Sequence, residues 1–307
     1  MPMALQLARP SSNRHNQMRF FDQIRSVSPR RLRFAKALGS ARDGDVAALR
    51  KSLASHPGTV HTRVRENSLL EWLTQPGFAP PHPRVVEVLI EAGAELDRAL
   101  NLAGCWNLPE LCEQLLAAGA DPAAQADAGI TPLESAAMHS SKKAADVLVG
   151  HGLHRPSLWL AAASGQLQAV RDWVSPGLTL HRDPGPYRPN WADVGRPAGE
   201  PSTADVGEII GEAFVFAALN DRRSVVEHLL QIGVDVDSRP YRNTTALHFA
   251  IQFHRHEMVS FLLERRASVS IRDDVFGAEA KDWAEACRDG SPASGEILRL
   301  LEAAGGD

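Results

Sequence analysis

A chain of 307 residues, 44% hydrophobic and 23% charged, has the make-up of an ordinary globular protein and is long enough for one elongated domain or two compact ones. No apolar run approaches the roughly 18 residues that would suggest a membrane span. The three scattered cysteines, Cys105, Cys112 and Cys287, exclude a disulfide framework and a thiolate zinc site, and fit a reducing cytoplasm.

The net charge of −4 is uneven: eight Arg or Lys against Asp22 make residues 1–40 +7 and leave −11 for the rest. Residues 1–33 read as a basic, flexible leader with room for a short helix. The leader is Arg-rich and acid-poor, as transit peptides are, but lacks the apolar core of a secretory signal. Nucleic acid, anionic lipid or an acidic partner would meet the protein there, if anywhere.

From residue 34 the chain repeats a short helix, a tight turn and a second helix. The copies are "FAKALGSARDGDVAALRKSL" (34–53), "SLLEWL" with "RVVEVLIEAGAELD" (68–73 and 84–97) and "ALNLAGCWNLPELCEQLLAAGADP" (99–122). Next come "ITPLESAAMHSSKKAADVLVGHG" (130–152), "SLWLAAASGQLQAVRDWV" (157–174) and "AFVFAALNDRRSVVEHLLQIGVDVD" (213–237). The last two are "NTTALHFAIQFHRHEMVSFLLERRASV" (243–269), and "GAEAKDWAEACRDG" with "GEILRLLEAAG" (277–290 and 295–305). Ser52, Leu89, Leu115, Leu148, Trp173, Leu229, Leu262 and Leu301 hold equivalent places in the second helices, at spacings of 37, 26, 33, 25, 56, 33 and 39.

Local chemistry supports the helices. Thr131 suits an N-cap, Pro132 the first helical position, and Glu134 completes a capping box. Gly119 and Gly233 suit a left-handed residue after a second helix. Ala136, Ala137, Ala161, Ala162, Ala217 and Ala218 allow neighbouring first helices to approach closely. Trp72, Trp159, Trp173 and Trp283 fall where a neighbouring helix would cover them.

The spacing of 33, with Thr131-Pro132-Leu133, Thr245-Ala246-Leu247-His248, "LLAAGADP" (115–122) and "LLQIGVDVD" (229–237), resembles the ankyrin-repeat family over residues 34–305. The resemblance implies an all-α ankyrin-repeat solenoid of paired antiparallel helices, one domain over 34–307, in about eight units. Spacings of 26 and 25 imply that the third and fifth units lack the hairpin finger before their first helix. The spacing of 56 implies an inserted Pro- and Gly-rich loop over 176–207.

Chemical motifs are sparse. No P-loop, dinucleotide fingerprint, nucleophile elbow or zinc-protease helix is present. His254 and His256 diverge on a helix, so no metal site is expected. The family implies a different role for His248, whose ring would brace its own turn. His254 takes the place of the family's turn glycine.

Carried over unit by unit, the family's recognition positions fall on Trp106, Met138, His139, Tyr241, Arg242, Gln252 and Phe253. The resemblance therefore implies a non-catalytic scaffold that takes a protein or peptide on the concave face of units three to seven. No cofactor is expected. The alternative is a small-molecule binder or enzyme in which His181, Tyr187, Arg188 and Trp191 of the long loop form a lid.

Overall fold

The computed structural model describes residues 28–76, 78–126, 129–151, 157–182 and 206–305. Among them are sixteen α-helices. They fall into two compact units, one of the described residues up to His151 and one of those from Ser157 onward.

The amino-terminal unit holds α1 Pro29–Arg42, α2 Val46–Ser55, α3 Leu69–Leu73, α4 Pro83–Glu91, α5 Asp97–Cys105, α6 Pro109–Ala117, α7 Pro132–Met138 and α8 Lys142–Gly150. The carboxy-terminal unit holds α9 Leu158–Ala163, α10 Leu167–Trp173, α11 Val206–Leu219, α12 Arg223–Gln231, α13 Ala246–Gln252, α14 His256–Glu264, α15 Ala280–Ala286 and α16 Pro292–Ala304. These are eight pairs, four in each unit, in the order expected. Within each unit, first helices pack on first helices and second on second. Each unit is an all-α stack of paired helices, as the resemblance to the ankyrin-repeat family implies.

The caps explain where the helices begin. Thr131 accepts from Glu134 N at 3.3 Å, and Thr131 N donates back to the Glu134 carboxylate at 2.9 Å. Ser68 and Glu71 form the same box on α3. Such a cap contributes about 1 kcal/mol, which matters for helices too short to stand alone.

Most turns inside a pair take a left-handed residue. Gly44 and Gly165 supply it at φ 71° and 79°, but Asn107, Ser140, Asp221 and His254 do so at φ 54°, 57°, 55° and 55°. Asn107 offsets the strain, because its side-chain oxygen accepts from Ala144 N at 3.1 Å in the next pair. Gly119 and Gly233 close second helices at φ 95° and 108°.

Small residues set the spacing of first helices. Ala99, Ala103, Ala136 and Ala137 are fully buried between α5 and α7. A Cβ on Gly104 would lie 2.7 Å from the Pro132 carbonyl oxygen. In the other unit Ala161, Ala162, Ala217 and Ala218 are equally buried. Large residues fill what remains: Trp159 meets Phe216 at 4.8 Å between ring centroids. Trp159 and Trp173 are core. Trp72 and Trp283 are half-buried, each donating its indole N–H at 2.9 Å, to Val64 O and to Asp273.

Both described ends of the expected insertion carry regular structure. Val174–Ser175 and Thr179–Leu180 pair as a small antiparallel hairpin at its start. At its end α11 begins at Val206, inside the expected loop, because Ile209 and Ile210 extend the buried face of the helix. The leader lies outside the described residues up to 27. From Ser28, which caps α1, the chain is already helical and enters the first pair.

Candidate partner-binding surface

The residues singled out in the sequence sit at the ends of first helices and on one finger. Trp106 closes α5 as its C-cap, and His139 closes α7 in the same way. Their rings lie 6.4 Å apart and are tilted by 47°. Met138 precedes His139, and all three are half-buried. His139 Nδ1 lies 2.8 Å from Ser135 O. A carbonyl only accepts, so Nδ1 is the donor in this contact. The Trp106 indole N–H is shielded and has no hydrogen-bond partner among the described residues. Beside it, burial pushes the Cys105 thiol up to about 12, outweighing a hydrogen bond with Ser135. That thiol stays protonated at neutral pH and is a poor nucleophile.

In the carboxy-terminal unit, Phe253 is the C-cap of α13 and donates its N–H to Phe249 O at 3.1 Å. Gln252 and Phe253 are half-buried. Nearby, Arg222 Nε donates to Ala163 O at 2.9 Å and Arg255 Nε to Leu219 O at 3.3 Å. In the other unit Ser141 Oγ donates to Cys105 O at 2.8 Å from the equivalent place. The final carbonyls of a helix have no partner within it. Here the next pair supplies one for α5, α9 and α11, and in α5 that fixes the helix end that presents Trp106.

The seventh finger runs through Tyr241, Arg242, Asn243 and Thr244. Thr244 N donates to Tyr241 O at 2.6 Å, and the two central residues have φ 40° and 58°. This is the tight hairpin turn whose twist suits flanking strands. Arg242 is exposed at its tip. Tyr241 is not a surface residue: it is 3% exposed and its ring meets Phe216 edge-on at 6.5 Å. Side chains alternate along an extended segment, so the residue before the turn points into the core while the tip points out.

His248 braces its turn as the family resemblance implies. Its Nδ1 accepts from Thr245 N at 3.2 Å, and the ring is fully buried. His254 and His256 lie two residues apart around the start of α14, and His254 Nε2 lies 3.7 Å from Asp289. Among the described residues, no three His, Cys, Asp or Glu side chains converge as metal ligands. Of the four lid residues, His181 is exposed after the small hairpin. Tyr187, Arg188 and Trp191 lie outside the described residues.

The third pair has no finger. Glu95 and Leu96 lead directly into Asp97 and Arg98, the first residues of α5, and the four face Ala124, Gln125 and Ala126 across an open notch of about 480 Å³. Arg98 donates to Glu66 O of the second finger at 3.1 Å, as a stand-in for the absent hairpin.

Sequence reasoning missed the Arg222 and Arg255 clamps and Asp273, which organises the last finger. An Arg directly before each of the last two α-helices to carry this pattern, in "NDRRS" and "FHRHE", was the available signal.

Residues 202–273 match the family model of ankyrin repeats in three copies. The chain is also 26% identical over 238 residues to an E3 ubiquitin-protein ligase, KEG, from Arabidopsis thaliana. That match covers 64% of the chain but only 15% of the relative's length. The crystal structure of the human ASB11 ankyrin repeat domain is similar at a TM-score of 0.41 and 18% identity, covering 89% of this chain and 98% of that one. Residues 202–273 therefore carry ankyrin repeats. Repeats of this kind generally mediate protein–protein interaction. No described helix is long and apolar enough to cross a membrane.

Proposed function

We propose that this chain is a non-catalytic binding scaffold that takes a protein or extended peptide on first-helix ends and fingers, those of pairs three and four in the amino-terminal unit and those of pairs five to seven in the carboxy-terminal unit. The observation that carries the reading is the group Trp106, Met138 and His139. Three large side chains stand half-exposed at the ends of adjacent first helices, where a bare scaffold would favour small or polar residues. Exposed apolar clusters of this kind mark interaction sites, and aromatic residues serve as their anchors. Gln252, Phe253 and Arg242 extend the reading to the seventh pair. Binding rests on complementarity to a stiff frame and involves no bond chemistry. Three unpaired thiols suit a reducing compartment.

A photo-crosslinking residue placed at Met138, and separately at Gln252, tests the assignment of the face. Adducts should form at these sites and be absent from controls at Glu113 and Glu264 on the second helices. Adducts confined to the controls would overturn it.

A further inference from the structure

The first pair is basic in a chain that is acidic as a whole. Residues 28–65 hold nine Arg or Lys against two acids, Asp43 and Asp45, while the chain carries −4. Both acids lie in the turn between α1 and α2, at the carboxy-terminal end of α1. At its other end no acid offsets the bases. The elements that pack against α1 are α2, the short helical turn Pro57–Thr59 and α3. They bring one acid, Glu71 of α3, which is fully buried and engaged by Arg63 at 3.1 Å.

The amino-terminal half of α1 exposes Arg30, Arg31, Leu32, Arg33 and Lys36. Its buried face is Phe34, Ala35, Ala37, Leu38 and Ala41. Going round the helix at about 100° per residue, the exposed order is Arg31, Leu32, Lys36, Arg33. Leu32 and Lys36 stand opposite the buried face, and Leu32 lies between bases on either side. It is 51% exposed, the most exposed large apolar side chain among the described residues. Arg30 Nε donates to Thr62 Oγ1 at 3.2 Å and ties this end of α1 to the pair. Among the described residues, Arg31, Arg33 and Lys36 have no ion-pair partner.

This arrangement costs α1 stability. A helix favours acids in its first turn, yet that turn holds Arg30 and Arg31 and no acid. Arg33 and Lys36, three residues apart, repel each other. Solubility calls for mixed charge, not for one sign. A face of one sign with an exposed Leu among its bases suits a surface that is both anionic and apolar.

We infer that α1 rests on an anionic lipid surface, with Leu32 at the boundary of headgroups and acyl chains and Arg31, Arg33 and Lys36 on the anionic headgroups. The helix lies on the surface and does not span it. An exposed helix face of bases around an apolar side chain is what such an interface binds. Each base near the surface strengthens binding about fivefold. The long stems of Arg and Lys let their charges reach headgroups while Leu32 inserts. Nucleic acid would engage the same bases but leave Leu32 idle. Single strands stack on exposed aromatic rings, and the one ring of α1, Phe34, is buried. The surface is separate from the helix-end group at Trp106, and the inference does not rest on it.

The test is sedimentation of the full chain with phosphatidylcholine vesicles, with and without phosphatidylserine as about a third of the lipid. Binding to a duplex DNA of mixed sequence is measured alongside. The protein should bind the anionic vesicles, more weakly as salt rises, and not the neutral ones. Arg31→Gln/Arg33→Gln/Lys36→Gln should weaken binding about a hundredfold, and Leu32→Ala about tenfold. Arg239→Gln/Lys281→Gln/Arg288→Gln removes as many exposed charges from the carboxy-terminal unit and should leave binding unchanged. The α1 triple variant should melt no lower than the wild type, because it relieves repulsion, so lost binding is not lost folding. Equal binding to neutral vesicles, either α1 variant without effect, or binding to duplex DNA in place of the anionic vesicles would each overturn the inference.

Discussion

The indole N–H of Trp283 donates to Oδ2 of Asp273 at 2.9 Å, tying the first helix of the last pair to the finger before it. The same carboxylate accepts from three backbone N–H groups, those of Val275, Phe276 and Ala278. Burial alone would raise this carboxyl's pKa, but the Trp283 indole and those N–H groups outweigh it and hold the pKa below the ordinary value.

Asp273→Ala leaves those donors without an acceptor and should destabilise the carboxy-terminal unit by about 2–4 kcal/mol. A depressed carboxyl contributes stability that is complete above the unfolded pKa of about 3.9 and is lost as pH falls through the folded one. Urea unfolding followed from pH 5 downward should show that loss in the wild type and not in Asp273→Asn. Parallel pH profiles would count against the clamp.

His248 gives a second, separate pH window. Burial foremost lowers its pKa, against the pull of Asp273 and the carbonyls of Ala278 and Ile271. Above about 6.5 both folded and unfolded rings are neutral. Below it the unfolded ring takes a proton that the folded one refuses, so stability falls as pH falls. Burial, and then Arg171, lowers His228 likewise. The urea midpoint should drop between pH 7.5 and 5.5, and His248→Asn should flatten that slope. An unchanged slope in the variant would place the pH dependence elsewhere.

Gly104→Ala tests the close approach of α5 to α7. The added Cβ would meet the Pro132 carbonyl oxygen at 2.7 Å. Backbone cannot swing aside as a flexible side chain can, so a loss of about 2 kcal/mol is expected. Gly39→Ala, which meets nothing within 4 Å, is the control and should be neutral or mildly stabilising, since alanine favours helix. Equal melting temperatures for the two variants would contradict the packing.

His254→Gly should stabilise the seventh turn. It relieves a left-handed residue at φ 55°, worth about 1 kcal/mol, and gives up a half-exposed pair with Asp289 at 3.7 Å worth less than that. His254→Val should destabilise, because a branched side chain tolerates that backbone poorly. The thermal midpoints of the two variants should fall on opposite sides of the wild type.

The helix pairs were legible because their signals recur in phase. Thr131 with Glu134, Gly119 and Gly233 each have a local chemical reason that needs no tertiary contact. The start of α11 was not legible, because Pro- and Gly-rich sequence runs directly into Val206 and only burial against α9 and α13 makes Ile209 and Ile210 core. Tyr241 was misplaced for a related reason. Unit-by-unit alignment places a residue on a finger but does not say which way an alternating segment turns it. Asp273 was invisible because three of its four donors come from a loop whose path no periodicity describes, and the fourth, Trp283, comes from the helix after it. The helix-end positions of Trp106 and His139 follow from the register alone, and both residues are C-caps.

The central claim is that half-exposed side chains at first-helix ends hold a partner. It is tested most directly by titrating a partner, crosslinked at Met138 and then purified, into the wild type and into Trp106→Ala/Met138→Ala. Affinity should fall by about tenfold or more in the variant, as loss of an aromatic anchor implies, while urea unfolding remains cooperative. Equal affinity in the two proteins would contradict it.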